Sequence, residues 1–67
     1  MTPESIGKIA GDIWKYVSDN GPSTSIKIKS ALGISNTLLY LALGWLARED
    51  KITIEDHEQS HKVFLKI

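Results

Sequence analysis

Apolar residues recur at helical intervals over the first twenty positions. Ile6, Ile9, Ala10, Ile13 and Val17 are spaced by three and four, with Trp14 at the edge of the stripe and Lys8, Asp12, Lys15 and Asp19 mostly outside it. Thr2-Pro3-Glu4 supplies a capping hydroxyl, a proline suited to the first helical position and an acidic residue favourable to the helix dipole, so a first helix is expected to begin there. Asn20-Gly21-Pro22 stops it. A polar connector, Pro22-Ser23-Thr24-Ser25, has room for at most a brief extended piece and offers hydroxyls to cap the next helix. That second helix is expected to be short, with Ile28, Ala31 and Leu32 on one face, Ile26 packed near the entry and Gly33 at its end. Two residues later Ser35 caps the longest apolar stretch of the chain, running from Ile34 to Ile52. After the charged run Arg48-Glu49-Asp50-Lys51 the period changes from helical to alternating, in Ile52-Thr53-Ile54-Glu55 and again in Val63-Phe64-Leu65-Lys66-Ile67. This alternation predicts two strands. The loop from Asp56 to His61 lets them pair as an antiparallel hairpin, with Ile52, Ile54, Val63, Leu65 and Ile67 available to the core.

The third helix is too apolar for an ordinary surface helix. Leu39, Ala42, Leu43 and Leu46 fall on one face, and Leu38, Leu41, Gly44 and Trp45 fall roughly opposite. A small domain covers one face with its own elements. The other must meet a partner, a ligand or water at a cost, unless helix one, the wing or the N-terminus of the same chain covers Leu38, Leu41 and Trp45.

Composition narrows the reading further. The chain has 67 residues, which makes residues 1–67 one domain close to the size at which a single core is just sufficient. It has no cysteine, so neither disulfides nor thiolate metal sites are expected, which fits a cytoplasmic protein. The N-terminal residues lack a signal-peptide pattern, and no apolar stretch reaches the roughly 20 residues of a membrane span. Eight Lys and Arg balance eight Asp and Glu, so no net field draws the protein onto nucleic acid.

The order of three helices, a tight turn before the third and a hairpin is carried by Leu32-Gly33-Ile34-Ser35, then by Leu39, Tyr40, Ala42, Leu43 and Leu46, and by Ile52 at the start of the hairpin. These residues resemble the winged helix-turn-helix pattern, and the similarity, which spans essentially the whole chain, is closest to small stand-alone bacterial winged-helix domains, several of them without an assigned function. The resemblance implies an α+β fold of three helices with a C-terminal two-stranded antiparallel β-hairpin wing. It also implies that the third helix occupies the place of a recognition helix, with Leu39, Ala42, Leu43 and Leu46 in the core. Asn36, Thr37, Leu38, Leu41, Gly44, Trp45 and Arg48 then fall on the outward or flanking surface, where DNA-reading relatives present basic and polar side chains.

This sequence departs from that pattern. Leu41, Gly44 and Trp45 stand where a DNA reader commonly has basic or polar residues, and the wing carries Asp56 and Glu58 with only Lys62 basic near its tip. The expectation is a non-enzymatic association module, a homodimer or the partner of a regulatory protein, using Leu38, Leu41, Gly44 and Trp45. The rival is a DNA-binding transcriptional regulator using Lys27, Lys29, Asn36, Thr37, Tyr40 and Arg48. His57 and His61 are four apart beside Asp56 and Glu58, but a loop offers them no further ligand set, and no metal site is expected. No nucleophile with an adjacent base and no phosphate loop is evident, and neither a cofactor nor a small-molecule ligand is expected. Trp14 and Phe64 are read as packing residues.

Overall fold

A computed structural model of the chain describes residues 3–57 and 60–66. The elements run in the order α1 (Pro3–Asn20), β1 (Ser23–Thr24), α2 (Ser25–Leu32), α3 (Asn36–Arg48), β2 (Ile52–His57) and β3 (Ser60–Leu65). Ala10, Ile13 and Val17 of α1, Ile28 of α2, the four expected residues of α3, Ile52 of β2 and Val63 of β3 are buried together in one core. Ile9, Tyr16, Leu32, Ile34 and Leu65 pack around it.

The caps explain where the helices begin and end. Thr24 holds an extended conformation and accepts a hydrogen bond from the backbone N–H of Lys27 at 3.2 Å, and Ser35 does the same for Leu38 at 3.2 Å. Gly33 closes α2 in the left-handed region, at φ 64, which is what allows Ser35 to begin α3 so soon afterwards. The end of α3 is built differently. Asp50 takes the left-handed conformation at φ 61, with its N–H on the Ala47 carbonyl at 3.1 Å and the Lys51 N–H on that of Leu46 at 3.0 Å. This is the double bond pattern of a Schellman closure with aspartate in the place glycine usually takes. The Asp50 carboxylate in turn accepts from Lys66 Nζ at 2.6 Å, linking the turn to the end of the sheet.

Among the described residues the sheet has three strands rather than the expected two, in the order β1-β3-β2, all antiparallel. The brief extended piece at Ser23–Thr24 pairs with Val63 and Lys62 of β3, so β3 is the central strand. The hairpin is also longer than its alternation indicated. Asp56 pairs with His61 and His57 with Ser60, so these residues belong to strands and not to a loop. Glu58, which the acidic-wing reading used, and Ile67, expected in the core, lie outside the described residues.

Some core assignments change as well. Ile26 is 62% exposed, because it lies two positions from Ile28 and therefore on the opposite side of α2. Ala31 is exposed on the last turn, where Ile28 and Leu32 make the inward contact. Ile54, toward the tip of the hairpin, and Trp14, on the flank of the α1 stripe, are also exposed.

Where β1 gives way to α2, a side chain takes over the pairing. The buried Ser25 Oγ accepts the backbone N–H of His61 at 3.2 Å, one step beyond the Thr24–Lys62 pair. The Tyr40 hydroxyl of α3 donates to the same Oγ at 3.3 Å and lies 2.9 Å from His61 Nδ1. Nε2 of that imidazole is 3.4 Å from Asp56 Oδ1. One chain of polar contacts thus joins α2, α3 and both strands of the wing.

Two stability measurements check this packing. In urea unfolding, Ile28→Ala is expected to cost about 3 kcal/mol and Ile26→Ala less than about 0.5 kcal/mol, since only the first opens a cavity. Tyr40→Phe is expected to cost about 1 kcal/mol, the worth of the hydroxyl's contacts. It should leave helix content unchanged and speed amide exchange at His61.

Candidate nucleic-acid or protein interface

On α3 the residues Thr37, Leu41, Gly44 and Arg48 are spaced by four, three and four, and all are exposed. They form the ridge that points away from the core residues Leu39, Ala42, Leu43 and Leu46. Tyr40 lies on the flank nearest the wing and Trp45 on the flank nearest α1. This ridge and its two flanks are the surface that a recognition helix would present.

The ridge is poor in polar equipment. Asn36 and Thr37 are exposed at its first turn and Arg48 at its last, with Leu41 between them at 42% exposure. Tyr40, expected as a base or phosphate contact, spends its hydroxyl on Ser25 and His61, and its ring meets the imidazole edge-on with centroids 5.5 Å apart. These contacts fasten α3 to the wing, while the residue stays 43% exposed. Lys27 is exposed on α2, whereas Lys29 is half-buried. On the wing, Glu55 and Asp56 are exposed, and Lys62 is drawn back over the Phe64 ring at 5.6 Å from its centroid, opposite Glu55. The described part of the wing therefore offers phosphate more repulsion than attraction.

The four residues read as a protein-binding face are not equivalent. Leu38 is half-buried. Leu41 stands free on the ridge, and a Cβ added to Gly44 would meet nothing within 4 Å, so the helix backbone is open to close approach there. Trp45 is 39% exposed and lies one turn beyond Leu41, on the flank toward α1. Its Cζ2 reaches over α1 to lie 3.8 Å from where a Cβ on Gly7 would stand, an ordinary van der Waals separation, so the indole rests against α1 at this point. The second apolar face thus divides into an outward part at Leu41 and Gly44 and a part shared with α1 at Trp45. Farther along α1, Trp14 is 43% exposed over a shallow groove lined also by Gly11, Leu46, Lys51 and Lys66, and is more open than a packing residue.

Sequence reasoning missed the Ser25, Tyr40 and His61 cluster because its members are 15 and 21 positions apart and no spacing rule joins them. Among the described residues no group of three or more His, Asp or Glu side chains is placed to hold a metal ion. Among them, too, no single helix is long and apolar enough to cross a membrane.

Comparison with known proteins agrees with this architecture. Residues 1–65 match the family described as winged helix-turn-helix domain (DUF2582). An uncharacterised protein of the archaeon Methanocaldococcus jannaschii, MJ1608, is 33% identical over 64 residues, a span covering 91% of this chain and 90% of the relative. Winged-helix domains are DNA- or protein-binding modules and are typically non-enzymatic. By the extent of the family match and by the identity to a relative of nearly the same length, this chain belongs to the DUF2582 family of winged helix-turn-helix domains.

Proposed function

We propose that the domain is an association module and that the outer ridge of α3 meets protein rather than DNA. The observation that carries this reading is Leu41, a large aliphatic side chain held exposed at the middle of the would-be recognition helix. Water there costs free energy, and a base edge offers little in return beyond a methyl group. The open backbone at Gly44 supports the same reading. A glycine inside an exposed helix costs about 1 kcal/mol relative to alanine, a cost offset where another backbone must come close. The occupant is a second copy, for which a self-complementary patch suffices, or a regulatory protein. Trp45 supplies an aromatic anchor at the edge of the site.

The DNA reading rests on Asn36, Thr37 and Arg48, with Lys27 beside them. It meets a neutral chain and an acidic wing. Few phosphates are neutralised by so few cations, and phosphate neutralisation supplies most non-specific affinity.

A titration with random duplex DNA in about 50 mM salt, where phosphate contacts are at their most favourable, is expected to leave the mobility of the duplex unchanged. A shift that Arg48→Ala abolishes would overturn the protein reading. Sedimentation of Leu41→Asp identifies the occupant: the variant is expected to stay folded, and a drop in mass relative to the parent assigns the ridge to a second copy, whereas an unchanged mass assigns it to another protein.

A further inference from the structure

We infer that the open edge of β2 is a docking site for the β2 of a second copy of this chain, the two joining antiparallel about a two-fold axis at Thr53. The inference goes beyond the reading of α3 and does not depend on it. In the sheet order β1-β3-β2, β2 is the outermost strand, and Thr53, Ile54, Glu55 and Asp56 are all exposed along it. Ile54 is 37% exposed even though it faces the same side of the sheet as the buried Ile52. An outer strand presents backbone donors and acceptors to any chain that pairs with it.

The hydrogen-bonding phase of β2 determines which residues have these free groups. The Lys66 N–H donates to the Lys51 carbonyl at 2.9 Å, so Lys51 turns its backbone toward β3. By alternation Thr53 and Glu55 do the same, while Ile52, Ile54 and Asp56 turn theirs to the open edge. An antiparallel partner must therefore set Ile52 or Ile54 opposite one of these same residues.

Side chains choose among the registers that this phase permits. With Thr53 on the axis, Ile52 faces Ile54 of the second copy and forms the hydrogen-bonded pair, and Thr53 faces its own counterpart. Lys51 then faces Glu55 of the second copy, twice over by symmetry. One face of the joint carries two isoleucine pairs; the other carries two opposite-charge pairs flanking a threonine pair, all of them favourable cross-strand combinations. With Ile54 on the axis, Glu55 would face Thr53 and Asp56 would face Ile52, and neither ion pair forms. With Glu55 on the axis, like charges meet. In the favoured register Asp56 would next face Asp50, and so the pairing stops after five residues, 51–55. Charge complementarity thus commits both the occupant and its register. If the second copy sits here, the α3 ridge is left for a protein of another kind in a simple dimer, since two separate self-complementary faces on one chain would build a tetramer or an open-ended array instead.

Sedimentation equilibrium and backbone amide spectra of the whole chain test this. The parent is expected to be a dimer. Lys51→Glu and Glu55→Lys are each expected to raise the dimer dissociation constant by roughly tenfold or more, because two attractive pairs become two repulsive ones. An equimolar mixture of the two variants restores the dimer, since every facing pair is then of opposite sign. Ile54→Pro removes only an outward N–H, which an edge strand tolerates, and is expected to give a folded monomer. A parent that stays monomeric as concentration rises would overturn the inference, as would a dimer whose mass is unchanged in both charge variants. A dimer that Leu41→Asp dissociates and that these charge variants leave intact places the second copy on α3 instead.

Discussion

The antiparallel pairing of β3 between two strands is the interaction on which the remaining structure depends. Val63 sits at its centre, fully buried, facing Ser23 on one side and Ile54 on the other. Without β3, β2 has no neighbour, and β1 is only two residues long and has no partner. Without the sheet, Ile13, Ile28 and Leu43 lose the floor of the core into which they point. Ser25 extends this dependence into the helices, because its hydroxyl receives both the His61 backbone and the Tyr40 side chain. The orientation of α3 relative to the wing is thereby set by hydrogen bonds as well as by apolar contact.

A chain this short has few elements with which to cover a helix that is apolar on two sides. The structure meets this by dividing the second side of α3. The indole edge of Trp45 rests against α1 near Gly7, and Leu41 is left facing water. The surface of a recognition helix is retained in shape, while the polar groups that would read a groove are reduced to its two ends.

Helix periodicity, caps and breakers were strong signals here, since the stripe of α1, the caps at Thr24 and Ser35 and the glycine at 33 each act through contacts a few residues apart. The alternation of Ile52 to Glu55 and of Val63 to Leu65 was equally local. Features that depend on distant residues were not legible. Ser23–Thr24 reads as polar connector and becomes a strand only because Val63 lies beside it. Tyr40 reads as a surface residue, and its bond to His61 is visible only once β3 lies beside α3. Asp50 in a left-handed turn had no glycine to announce it, and the carboxylate's bond to Lys66 is visible only in three dimensions. For the candidate site, the sequence placed Leu41 and Trp45 one turn apart and left open whether helix one would cover them; the structure brings the indole, and not Leu41, against α1.

The partnership of Ser23 with Val63 spans forty positions, from residue 23 to residue 63. Contacts this far apart slow the search for the native state, because a long loop must close before any of them forms. During synthesis the chain emerges from its N-terminal end, so α1, α2 and α3 are available while their apolar faces still lack the sheet. The core of this domain is therefore closed by β3, the latest of its described strands to be made, and until it arrives the core face of Ile28 and Leu43 is bare while Leu41 is exposed on the opposite side of α3. The period of greatest vulnerability to aggregation lies between the completion of α3 and the addition of β3.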